Sequence, residues 1–203
     1  MYFYTIKNYF YCHDTIYGGE NDDELKGSDG NDQLFGDSGN DGISGGKGND
    51  SIFGGSGYEF VQGRDGNDLI VGGDDNDTLL GGDDNDILDG GNDNNNLYGE
   101  SGNDSLSGSN GHDTLVGGHG HDTLVGGSGS DRFTFYSLYE GVDVIEDFNY
   151  HEGDKIYVGA GHDLHRYSEN EITGEISFDG HVFAKVDGGK GSNFFDVYRD
   201  IIA

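Results

Sequence analysis

Between Gly18 and Thr134 one apolar position returns every nine residues, and nearly everything around it is polar or glycine. Written in nines, the stretch is thirteen uninterrupted copies of one unit. Position 8 is apolar in every copy: Leu25, Leu34, Ile43, Ile52, Val61, Ile70, Leu79, Leu88, Leu97, Leu106, Leu115, Leu124 and Phe133. Position 1 is always Gly, and position 6 is Asp in eleven copies, with Glu59 and Asn95 the exceptions. The last three residues point outward, inward and outward around one apolar side chain, which predicts a very short strand. Glycines at positions 1, 2 and 4 permit positive φ and close backbone approach, so the first half of each unit is expected to be a tight turn. A nine-residue turn and strand cannot bury its own apolar face, so copies must stack.

The unit, seen in full at Gly45-Gly46-Lys47-Gly48-Asn49-Asp50-Ser51-Ile52-Phe53, resembles the nonapeptide of the RTX, or hemolysin-type calcium-binding, proteins. That resemblance implies an all-β, right-handed parallel β-roll with two nonapeptides per coil. It also implies Ca2+ held between loops two copies apart, by position 6 and by carbonyls from positions 1 to 4. Downstream, Asp143-Val144-Ile145-Glu146-Asp147-Phe148 and Asp154-Lys155-Ile156 resemble the segment that follows the repeats in many members. The final Asp200-Ile201-Ile202-Ala203 is similar to type I secretion signals.

Two copies per coil put odd and even copies on opposite edges. Asp23, Asp41, Asp77, Asp113 and Asp131 fall on the odd edge with Glu59 and Asn95, while Asp32, Asp50, Asp68, Asp86, Asp104 and Asp122 fill the even edge. These eleven aspartates are the expected metal ligands. Ca2+ takes six to eight hard oxygens at about 2.3–2.6 Å. Glycine turns expose carbonyls, and the short Asp arm completes the shell where Glu would overshoot. Counting neighbours that keep Asp at both ends gives five strong sites on the even edge and two on the odd, about seven in all. Copies five and nine, around Glu59 and Asn95, are expected soft spots. Asp74, Asp75, Asp83, Asp84 and Asp93 stand near positions 3 and 4, where Asp also tolerates the left-handed region, and read as turn residues.

Composition sharpens this picture. The chain has 203 residues, 32% of them hydrophobic, with 40 glycines and a net charge of −30. Without a cation such a chain would be disordered, since self-repulsion and backbone entropy both oppose compaction. Bound Ca2+ reverses this and couples binding to folding. So acidic a surface excludes nucleic acid and anionic membranes as partners, and no apolar run is long enough for membrane insertion. Cys12 is the lone cysteine, which rules out a disulfide framework within one chain. The N-terminal residues Met1 to Asn8 do not read as a secretory signal, because Lys7 and Asn8 interrupt them and no small-residue cleavage site follows.

Three regions are expected: an aromatic N-terminal cap over 1–17, the calcium-binding roll over 18–134, and a β-rich C-terminal cap with the secretion signal over 135–203. Ile176 to Val186 reads as a hairpin turning at Asp179-Gly180. No catalytic constellation emerges. His162-Asp163-Leu164-His165 lacks the spacing and glutamate of a zinc helix. Gly42-Ile43-Ser44-Gly45-Gly46 fits the nucleophile-elbow pattern, but Ser44 is simply position 9 of a repeat. His112, His119 and His121 read as solvated loop residues. The sequence therefore points to a non-enzymatic, secreted, extracellular module that binds calcium, passes a type I exporter and folds outside. A polysaccharide or cell-surface binding module and the C-terminal part of a longer RTX enzyme remain the alternatives.

Overall fold

The computed structural model describes residues 13–137, 140–159, 167–170, 175–178, 181–186 and 201–202. The N-terminal aromatic segment through Cys12, the turn at Asp179-Gly180 and the residues around His162 lie outside them.

The chain forms a two-sheet parallel β-solenoid, and no described residue is helical. Thr15–Glu20, Gln33–Ser38, Ser51–Ser56, Leu69–Asp74, Ile87–Gly91, Ser105–Ser107 and Thr123–Val125 stack in sequence as the first sheet. Glu24–Asp29, Gly42–Lys47, Phe60–Asp65, Thr78–Asp83, Asn96–Ser101, Thr114–His119 and Arg132–Phe135 form the second. Neighbours within a sheet pair eighteen residues apart, as in Ile52 with Ile70 and Val61 with Leu79. Two nonapeptides thus complete one coil, as the family resemblance implies.

The strands are longer than the sequence pattern suggests. Most run from position 7 through position 3 of the following copy, so Ser51–Ser56 reads Ser-Ile-Phe-Gly-Gly-Ser with positions 8 and 1 turned inward, while Ser105–Ser107 and Thr123–Val125 stop at position 9. Glycine at position 1 is therefore part of a strand, and its φ is ordinary. Its constraint is space: a Cβ on Gly45 would lie 2.3 Å from Oδ2 of Asp50 and 2.9 Å from the Gly63 carbonyl oxygen. Positive φ is confined to positions such as 2 and 4, at Gly46 and Gly48 for example. Asp75, Asp84 and Asp93 also take φ of 66–77°, as expected of turn residues.

The position-8 side chains form one continuous buried row between the sheets, from Ile16 through Phe133. It does not stop where the nine-residue spacing stops. Asp143–Ile145 pairs in parallel with the first sheet (Leu124 with Ile145), and Lys155–Val158 with the second (Phe133 with Ile156). Phe148 packs on Phe133 at 6.2 Å, and the Asp147 carboxylate accepts the N–H groups of Gly126 and Gly127. Tyr167–Asn170, Glu175–Phe178 and His181–Val186 finish the first sheet as an antiparallel meander, with Phe178 opposite His181. Ile201–Ile202 adds to the second sheet beside Ile156 and Tyr157.

Candidate metal centres

Every position-6 side chain in the array is buried between the turns that join the sheets. Asp32, Asp41, Asp50, Asp68, Asp77, Asp86, Asp104, Asp113, Asp122 and Asp131 are at most 2% exposed, and Asp23 at the end of the array 9%. A purely solvated charge row would face water, so burial needs a reason. One carboxylate oxygen has one. Along the even edge the backbone N–H of position 6 donates to Oδ1 of position 6 one coil further on: Asp32 to Asp50 (2.8 Å), Asp50 to Asp68 (2.7 Å), Asp68 to Asp86 (2.8 Å), Asp86 to Asp104 (2.8 Å) and Asp104 to Asp122 (2.9 Å). On the odd edge Asp23 donates to Asp41 and Asp113 to Asp131 in the same way. The position-6 carbonyl in turn accepts the next coil's position-7 N–H, as Asp50 does from Leu69 at 2.9 Å.

The other oxygen has no such partner. Oδ2 of all eleven aspartates is buried and makes no hydrogen bond. An unpaired buried acceptor carries its full desolvation cost, and a charged one costs more. Burial accordingly raises the carboxyl pKa to about 6 at Asp50 and Asp104, about 7 at Asp68 and Asp113, and about 8 at Asp86.

The surroundings of Oδ2 suit a hard cation. The point where a Cβ on Gly27 would sit is 2.4 Å from Asp32 Oδ2 and 2.5 Å from the Gly45 carbonyl oxygen. The same pair of oxygens recurs at Gly36, Gly63, Gly72 and Gly81. Among the described residues no three His, Cys, Asp or Glu side chains converge on one point. A cation here would therefore be held by a carboxylate and backbone carbonyls, a donor set matching the oxygen chemistry of Ca2+ and unlike that of zinc or copper.

The two exceptions behave differently. At Glu59 the ladder breaks: Asp23 donates to Asp41, but Asp41 makes no corresponding bond to Glu59, and both Glu59 carboxylate oxygens are buried without partners. Burial, then the adjacent Asp77 carboxylate, pushes the Glu59 carboxyl well above its ordinary value. The extra methylene overshoots, so copy five lacks this one rung, although the Glu59 N–H still donates to Asp77 Oδ1 at 2.9 Å. Copy nine keeps both of its rungs. Asp77 donates to Asn95 Oδ1 at 2.8 Å and Asn95 to Asp113 at 2.7 Å, so the ladder passes through.

Three features escaped the sequence pattern. Asp143 and Asp154 take the ladder role beyond the array, accepting from Asp122 and Asp131 at 3.0 and 2.9 Å across longer coils of 21 and 23 residues. An outer ladder also runs along position 5, where Asn49, Asn67, Asn85 and Asn103 each donate a backbone N–H to the side chain one coil earlier. The frequent Asn at position 5 was its signal. His13, His112 and His121 serve the same ladder, accepting at Nδ1 from the N–H groups of Asn31, Ser130 and Val142.

With known proteins, the chain matches the RTX calcium-binding nonapeptide repeat in four segments, 13–43, 38–58, 62–97 and 98–133. No curated protein matches it significantly. Among solved structures it is similar to the extracellular lipase LipA of Serratia marcescens, at 21% identity and a TM-score of 0.39 over 80% of this chain. It is also similar to a Ca2+-dependent β-helical antifreeze protein from an Antarctic bacterium, at 21% identity and a TM-score of 0.40 over 72% of this chain. The chain spans 40% of the lipase and 65% of the antifreeze protein.

Proposed function

The chain belongs to the RTX calcium-binding nonapeptide repeat family, a structural roll and not a catalytic fold, and from that we propose a secreted module that folds when Ca2+ closes its loops. The observation that carries the reading is the row of eleven buried, unpartnered Oδ2 atoms. Asp23, Asp32, Asp41, Asp50, Asp68, Asp77, Asp86, Asp104, Asp113, Asp122 and Asp131 would each supply one carboxylate oxygen, with neighbouring-turn carbonyls completing the shell. Bound calcium supplies the positive charge that these carboxylates lack. Five ions belong to the even edge and two to the odd edge, beside Asp23/Asp41 and Asp113/Asp131.

Without the ions, a net charge of −30 and 40 glycines oppose compaction. Extracellular modules bind Ca2+ with Kd of about 10⁻⁴–10⁻³ M. A chain of this kind stays open at cytosolic calcium, threads a type I exporter by its C-terminus, and folds outside. Scattering and circular dichroism with and without Ca2+ test this. A collapse from an expanded coil to a rod-like β-structure is expected, and an equally compact, β-rich calcium-free protein overturns the mechanism.

A second reading, binding of a polysaccharide at an extracellular surface, draws on one groove of the second sheet. Tyr98, Tyr136 and Tyr157 line a cavity of about 380 Å3 together with Arg132, Asn96 and Thr134. Tyr136 is 62% exposed, and the Arg132 guanidinium covers the Tyr157 ring at 4.2 Å. Oγ1 of Thr134 is buried without a partner. Aromatic faces beside convergent polar groups suit a sugar ring. Tyr136→Ala should abolish retention on a glycan array if this groove binds saccharide; no retention by the calcium-loaded parent chain removes the reading.

A further inference from the structure

Asn95 sits where the eleven aspartates place a carboxylate, and its side chain occupies the same space. Its Nδ2 lies 2.8 Å from the point a Cβ on Gly90 would take, the place that Oδ2 holds beside Gly81 and Gly99. The difference is chemical. Oδ2 can only accept when ionised, whereas Nδ2 donates, and it donates twice: to the carbonyl oxygens of Asn92 and Asp93, positions 3 and 4 of its own loop, both at 3.2 Å. Oδ1 meanwhile keeps its ladder bond from Asp77, and the Asn95 N–H keeps its own to Asp113. Copy nine therefore has no unpartnered side-chain atom at position 6, unlike the aspartate copies and Glu59.

We propose that Asn95 is a built-in substitute for a calcium ion, so that the ninth loop closes without metal and serves as a calcium-independent staple within the roll. Built on the calcium reading above, this closes the odd edge at copy nine with protein alone, while the even edge beside it, at Asp86 and Asp104, still depends on metal. A partially positive amide nitrogen, bonded to two loop carbonyls, stands in for the cation and also removes one carboxylate from a crowded edge. Asp154 shows the same solution at the end of the array. Its Oδ1 accepts from Asp131 at 2.9 Å, and its Oδ2 accepts the N–H of Asn149 at 2.7 Å, so here too a protein donor closes the site. The two closed stations bracket the last coils of the roll, from which assembly can spread as calcium arrives.

Replacing the amide by a carboxylate, Asn95→Asp, converts the staple into a metal site. Calorimetric titration should then count at least one more calcium per chain than in the parent, and the calcium concentration for half-folding should rise several-fold. The reciprocal Asp104→Asn should bind at least one ion fewer yet fold at lower calcium, because the new amide closes its own loop. Unchanged ion counts in both variants overturn the proposal, as does an Asp104→Asn chain that needs more calcium to fold. The parent chain in the same titration reads the underlying function separately: no calcium uptake there overturns calcium binding itself and the staple with it.

Discussion

The backbone N–H of Asp50 donates to Oδ1 of Asp68, one coil away, at 2.7 Å, while Oδ2 of Asp68 is buried with no partner. One carboxylate thus has two jobs: a strut between coils and an open valence toward the loop. Asp68→Ala removes both. In calcium-saturated protein it should lose at least one bound ion, and the orphaned Asp50 N–H should cost about 1–3 kcal/mol. Calorimetry and thermal unfolding at fixed calcium check the two effects. A full ion count with an unchanged melting temperature would contradict this assignment.

Gly45 at position 1 and Gly19 at position 2 of the first copy are required for different reasons, although further along the roll a position-2 Cβ also clashes, as at Gly46, 2.0 Å from the Ser28 carbonyl oxygen. A Cβ on Gly45 would stand 2.3 Å from Oδ2 of Asp50, whereas a Cβ on Gly19, at φ of 97°, would meet nothing within 4 Å. Gly45→Ala should weaken calcium binding and destabilise the roll strongly. Gly19→Ala should cost only the backbone strain of about 1–2 kcal/mol and leave calcium affinity as it was. Parallel calcium titrations of the two variants separate steric blocking of the site from strain.

The pH response changes sign with calcium. In the metal-free roll burial holds Asp50 and Asp104 near 6, Asp68 and Asp113 near 7 and Asp86 near 8, above the open-chain 3.8. The folded state then carries more protons than the unfolded chain across that window. Its stability is full below about pH 4 and is lost as pH rises through 6 to 8. Calcium-depleted protein should therefore gain β-structure on acidification toward pH 4–5 and lose it by pH 8. With calcium present, protons compete for the same oxygens, so apparent calcium affinity should fall as pH drops. Circular dichroism across that range, with and without calcium, reads both slopes.

The outer asparagine ladder has one gap. Tyr58 donates its N–H to Asn40 at 2.9 Å but offers no acceptor at that place for the coil of Asn76. Tyr58→Asn should restore the bond and remove an exposed ring, stabilising the calcium-loaded protein by about 0.5–1.5 kcal/mol. A lower melting temperature would show that the ring, and not the ladder, matters there.

Much of this architecture is legible in the chain because its period is strict. An apolar residue at position 8 in every copy dictates the buried row, and the two-copy coil that the family resemblance implies assigns each Asp to an edge. The eleven aspartates singled out by position are the same eleven whose Oδ2 lacks a partner. What escaped notice did so for physical reasons. Gly at position 1 looks like a turn residue, yet it continues a strand, because the space its Cβ would need belongs to a carboxylate and a carbonyl. Asp143 and Asp154 were hidden by coils of 21 and 23 residues, which preserve the ladder while losing the nine-residue spacing. Asn95 looked like a defect because its type departs from the pattern, although its amide fills the same place.

The most direct test of the central claim is a long-wavelength anomalous diffraction map from crystals grown in calcium. The account predicts peaks beside the buried Oδ2 atoms, five along the even edge and two on the odd edge, with none in the loop closed by Asn95. Peaks confined to exposed acids such as Asp74 and Asp83, with the buried carboxylates bare, would contradict it.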